Sequence, residues 1–241
     1  MNRSARPLRS FRLTVYSAAN VLLAPLAILG LVVAVSVVIV LIIGIRAGLP
    51  LTQEASMEMN YNMGALLSMP GFLIGLGALT VNRQFATALA FGSTRRDFWL
   101  GSALGFLVIS VVTGIGSVLL LWIEKATDHW FIGARALDVY ILGQGNAWQT
   151  FLTITALCLG SLFLGAGFGT VFRAWGPRVV LITAIGLGVV LCGGLALAVW
   201  QSDSWVPALA PLGAWLVTIG TAALGLIAAA GSFVVNRRGT I

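Results

Sequence analysis

Residues 88–101 read Ala-Leu-Ala-Phe-Gly-Ser-Thr-Arg-Arg-Asp-Phe-Trp-Leu-Gly (ALAFGSTRRDFWLG). Three of the chain's charged residues, Arg95, Arg96 and Asp97, stand there in a row between two long apolar stretches. A polar knot this short, so flanked, is the signature of a loop joining two membrane crossings. Composition points the same way. Of 241 residues, 59% are hydrophobic and 9% charged, with a mean hydropathy of +1.01. A soluble domain carries about 25% charged residues, so the chain reads as an all-α integral membrane protein.

Working outward from the knot, six apolar runs approach the roughly 20 residues that a bilayer crossing needs. They cover 21–45, 63–81, 101–123, 148–172, 179–200 and 208–235, and none contains Asp, Glu, Lys, Arg or His. Lipid offers no partner to backbone N–H and C=O groups, so uninterrupted runs of this kind imply helices. With the N-terminus inside, Arg3, Arg6, Arg9, Arg12, Arg83, Arg95, Arg96, Arg173, Arg178, Arg237 and Arg238 all face the cytoplasm. Glu54, Glu58, Glu124, Asp128, Asp138 and Asp203 then fall outside. The positive-inside rule therefore predicts six spans with both termini cytoplasmic. The net charge of +7 reflects that topology, not nucleic-acid binding. The first run is too long for the apolar core of a signal peptide, and no A-x-A-like site follows it.

Residues 1–20 carry arginines at three-residue spacing among Leu8, Phe11, Leu13, Val15 and Tyr16. Two readings fit: an interfacial helix anchored to lipid headgroups through Arg3, Arg6, Arg9 and Arg12, or a basic tail that only sets topology. The external segments 46–62 and 124–147 are too short for a folded domain, and His129 reads as a solvated loop residue. Cys158 and Cys192 lie mid-span and read as packing residues. The segment 201–211 with the run after it fits either a helix that dips into the outer leaflet and returns, or a merely tilted sixth span.

The knot itself predicts local structure. After Val81 every residue permits helix, and Phe85, Ala88, Leu89 and Phe91 fall on an apolar face at i, i+3, i+4 spacing. Gly92 stands where a helix C-terminus favours φ > 0. Thr94-x-x-Asp97 fits a capping box, so the third span starts near Arg95 and runs 95–123, longer than the hydrocarbon core. The expectation is a short amphipathic helix, a glycine break and a capped helix start within residues 82–100. Arg95 and Arg96 in a first turn are opposed by the helix dipole; they serve topology, or they face an acidic partner.

LAFGSTRRDFWLG, placed between a second and a third span, resembles the intracellular loop of type-2 ABC transporter permeases (the ABC-2 family of export permeases). Gly92, Thr94, Arg95, Arg96, Phe98 and Gly101 carry the match. The basic N-terminal segment, the six spans and GFGTVFRAWG (Gly167–Gly176) are similar too. The resemblance implies one permease domain over 1–241 with an ATPase-coupling helix in the loop 82–100. Phe85, Leu89 and Phe91 would dock, and Gly92, Thr94, Arg95, Arg96, Asp97 and Phe98 would form the hinge. It implies two cytosolic ABC ATPase subunits holding ATP and Mg, a second permease subunit of the same or another sequence, and contact with membrane lipids. It also implies an exporter of an amphipathic or hydrophobic substrate such as a peptide antibiotic, drug or lipid. Short loops suit a bacterial cytoplasmic membrane.

What the sequence lacks narrows the field further. No GxxxxGK[ST] loop is present, so ATP hydrolysis by that route needs another polypeptide. No ionisable residue lies at membrane depth, which argues against proton-coupled transport. With one histidine and two cysteines, neither an ordinary zinc site nor a catalytic triad is expected. No cofactor is expected in this chain, and no residue is singled out for substrate. The opposing reading is a membrane scaffold or sensor that does not transport.

Overall fold

The computed structural model describes residues 18–61, 64–200 and 212–238. The interfacial anchor assigned to Arg3, Arg6, Arg9 and Arg12 lies outside them, as does the segment 201–211, for which a re-entrant helix and a merely tilted sixth span were both open. All regular structure among the described residues is helical. The long helices are α1 (Ala18–Ala47), α3 (Gly64–Ala90), α4 (Arg95–Ala126), α5 (Ala147–Trp175), α6 (Pro177–Trp200) and α7 (Trp215–Arg238). A short helix, α2 (Gln53–Glu58), lies between α1 and α3.

Five segments among the described residues are long and apolar enough to cross a membrane: Leu23–Ile45, Arg95–Ala126, Ala147–Trp175, Pro177–Gly194 and Trp215–Val235. The run 63–81, expected as the second crossing, begins outside the described residues, and its described part, 64–81, is not one of the five. It belongs to α3, which continues through Asn82, Arg83 and Gln84 to Ala90. This corrects the expectation of a separate amphipathic helix over 85–91. Nothing between Val81 and Ala90 breaks a helix, so the polar trio sits within α3 instead of ending it. The fold is all-helical among the described residues, and its five apolar helices are compatible with a multi-pass membrane protein.

The bundle is organised around α5, which packs against α3, α4 and α7, while α1 rests on α4 and α3. Glycines explain the close approach. A Cβ on Gly165 would meet the backbone of Ile74 and Ala78, one on Gly77 the backbone of Leu162, and Gly160 faces Gly225. Dispersion between backbones, not water exclusion, holds helices together in lipid, so small residues at crossings are the expected solution. The core holds Phe106, Ile109, Ile154, Cys158, Leu162 and Phe163. Phe106 meets Phe163 edge-on at 5.5 Å, and Trp99 stacks on it at 5.9 Å.

Several buried hydroxyls are satisfied within their own helix. Ser110, Thr113 and Thr170 donate to the carbonyls of Phe106, Ile109 and Ala166 at 2.7–2.8 Å, the usual solution for a hydroxyl on an apolar helix. Two side-chain hydrogen bonds tie α7 in: Thr153 Oγ1 to Thr218 Oγ1 at 2.6 Å, and Trp99 Nε1 donating to Ser232 Oγ at 3.1 Å. By contrast the Pro177–Gly194 stretch of α6 has no buried residue within this one chain. Cys192 on it is exposed, not packed as expected, whereas Cys158 on α5 is buried.

Candidate functional site

The knuckle between α3 and α4 is built from two helix ends. At the close of α3, Ser93 N donates to Ala88 O at 3.0 Å and Gly92 N to Leu89 O at 2.8 Å. That pair of bonds is a Schellman closure, and it requires Gly92 to take φ +76°. At the start of α4, Thr94 adopts an extended conformation and its Oγ1 accepts from Asp97 N at 3.1 Å. Four residues, 91–94, thus reverse the chain. The glycine break and the Thr94 cap match the sequence reading, and α4 begins at Arg95 as expected.

The apolar face of the α3 end points inward. Phe85 and Ala88 are buried, Leu89 is partly buried against the core, and Phe85 meets Phe98 edge-to-face at 5.2 Å. The Arg173 guanidinium, at the end of α5, lies 3.4 Å above the Phe85 ring. A cation over an aromatic face gains about 0.5–2 kcal/mol, more when desolvated. Phe85 and Phe98 are therefore the foundation of the knuckle, and they couple three helices. Phe91 is 71% exposed, with Thr94 and Arg96 exposed beside it and Arg95 and Asp97 half-buried. The structure brings the nine sequence-selected residues to one end of the bundle, but divides them between an inner base and an outer rim.

A second constellation, at the opposite end, escaped the sequence reading. Glu124, in the last turn of α4, is fully buried. Its Oε1 accepts from Ala136 N at 3.0 Å and Asp138 N at 3.2 Å, and its Oε2 accepts from Leu137 N at 2.9 Å. Arg135 Nη1 donates to Asp138 Oδ2 at 3.0 Å, and His129 Nε2 lies 2.9 Å from the same oxygen. His129 is thus a paired residue with its side chain 19% exposed, not a solvated one.

Residues Asp128, His129, Trp130 and Phe131 all have φ between 47° and 61°. That left-handed turn costs roughly 1–2 kcal/mol per residue, and the clasp around Glu124 holds it in place. Leu51 N donates to Ile132 O at 3.2 Å, and Ser56 Oγ donates to Gly133 O at 3.0 Å. The two loops therefore close on each other over a small core of Val40, Leu51, Met59 and Ala134. They are short, as expected, yet they form an ordered cap. The sequence signal was a carboxylate at the end of an apolar run, followed by Arg135-x-x-Asp138. Among the described residues, no cluster of His, Cys, Asp or Glu is arranged to hold a metal ion.

No family model matches the chain, and neither a curated protein nor a solved structure is significantly similar to it.

Proposed function

We propose that this chain is the membrane-spanning subunit of an ATP-driven exporter, coupled to separate cytosolic ATPase subunits through the knuckle at residues 82–100. The observation that carries the reading is mechanical. An exposed rim of Phe91, Thr94 and Arg96 sits on a base, Phe85–Phe98–Arg173, that is shared by α3, α4 and α5. A partner gripping the rim would move three helices of the bundle together. A loop that only sets topology needs arginines but neither the closed turn nor the aromatic base.

In this reading Phe91 enters an apolar depression on the partner, Arg96 pairs with an acidic residue beside it, and Gly92 and Thr94 fix the angle. ATP and Mg belong to that partner. A second membrane subunit completes the pathway, and the unburied apolar length of α6 supports a bundle that is not complete in one copy. With no ionisable side chain in its apolar runs, the pathway suits an amphipathic or hydrophobic cargo, in a bacterial cytoplasmic membrane.

The test is purification in mild detergent from the native cell, with identification of what co-purifies. A stoichiometric soluble protein carrying a GxxxxGK[ST] loop, lost on Phe91→Ala with Arg96→Glu, is the expected result. A chain that emerges alone from several mild detergents would replace the exporter reading with that of a scaffold.

A further inference from the structure

Where the last turns of α4 meet the first turn of α5, the surface opens into a groove of about 420 Å³. Ile115, Val118, Leu119 and Trp122 form one wall, and Ala147, Trp148 and Phe151 the other. The lining is almost wholly apolar, and Trp148 stacks on Phe151 at 5.8 Å to stiffen one side. Trp122 and Trp148 are 58% and 63% exposed, so the groove faces the surroundings of the bundle and not its core.

One charge stands at its mouth. Lys125 lies one turn beyond Trp122 and two beyond Val118, on the same face of α4. It is exposed, and its ammonium is steadied by donating to Gly145 O at 2.8 Å, next to the start of α5. An ammonium has three donors, so this bond leaves capacity for an anionic oxygen. Asp138 is held by Arg135 and His129 through its Oδ2, while its Oδ1 stands beside Gly145 on the Lys125 side without forming an ion pair with it.

We infer that this groove is a specific site for an anionic glycerophospholipid, with one acyl chain between Trp122 and Trp148 and its phosphate on Lys125. The aromatic pair lies at the end of two candidate membrane spans, the depth at which tryptophan marks the boundary between acyl chains and headgroups. An apolar slot beneath the Lys125 ammonium suits an acyl chain with its phosphate above, and favours a lipid whose phosphate charge no headgroup cation offsets. The site does not depend on the transport reading, since it uses only membrane embedding and the α4–α5 geometry.

The test uses the full chain in nanodiscs of phosphatidylcholine, doped with phosphatidylglycerol whose acyl chains are brominated. Tryptophan quenching is expected to saturate at low phosphatidylglycerol content and to lose its saturable part in the Trp122→Phe/Trp148→Phe variant. Lys125→Ala is expected to weaken the preference for the anionic over the zwitterionic brominated lipid by about fivefold. Equal quenching by the two lipids would overturn the inference. So would a saturable component that survives the double tryptophan variant, or an anionic preference unchanged by Lys125→Ala.

Discussion

Two phenylalanines in one short stretch of sequence have opposite fates, and the difference is testable. Phe98 is 3% exposed and packed on Phe85, while Phe91 is 71% exposed. Removing a buried ring leaves a cavity that the neighbours fill only partly, so Phe98→Ala should cost about 3–5 kcal/mol. Phe91→Ala should leave stability within about 0.5 kcal/mol and act only on docking. Thermal melting of the purified chain, beside ATPase co-purification, separates the two. Glu124 offers a second contrast. Three backbone N–H groups converge on its two oxygens. Glu124→Gln keeps the shape but turns an amide N–H₂ toward donors, and should cost about 2 kcal/mol, read as a lower melting temperature and earlier proteolysis within 127–138. Spacing told that Phe85, Ala88 and Leu89 share a face, but not which way that face points, and it grouped Phe91 with them although Phe91 stands beyond the end of α3 and is exposed. Direction is a tertiary property, and here the α5 end, through Arg173, turned it inward.

At the scale of elements, what was legible was what is local. The closure at Gly92 and the cap at Thr94 depend on residues within five positions of one another, so the turn could be read before any packing was known. Gly92 has open space where a Cβ would stand, so Gly92→Ala tests backbone conformation alone. A cost of about 1 kcal/mol is expected, with Gly92→Asn cheaper because asparagine tolerates the left-handed region better. Thr94→Ala should add about 1 kcal/mol by removing the cap. Amide exchange at Asp97 and at Ser93 would report the two losses separately. The extent of α3 was not legible in the same way. A polar trio ends a hydrophobic run without ending a helix, because hydropathy and backbone hydrogen bonding are independent. The cap at the other end was hidden for a related reason. Its left-handed turn at Asp128–Phe131 contains no glycine, and it is held by side chains on both sides of it, Glu124, Arg135 and Asp138, and by bonds from the Leu51–Ser56 loop.

Across the whole molecule, the apolar runs foretold long apolar helices, while the choice of α5 as the hub depended on which glycines found backbones opposite them. Small residues recur throughout the chain, 29 of them glycine, and sequence spacing alone does not distinguish those that pack inside one subunit. The structure does. Gly165 leaves no room for a Cβ against Ile74, whereas Gly186 and Gly188 on α6 have nothing within 4 Å. Gly165→Leu must therefore drive α5 and α3 apart, and should abolish recovery of folded protein or shift its melting by far more than a surface change does. Gly188→Leu should leave melting of the isolated chain unchanged, because α6 makes little contact within it. The informative readout for that variant is the size of the complex extracted in mild detergent. If assembly with a second membrane subunit uses α6, a leucine at Gly188 blocks the close approach that glycine allows, and the complex shrinks while the chain stays folded. An unchanged size would assign α6 to lipid, and the second subunit would have to meet the bundle through another helix.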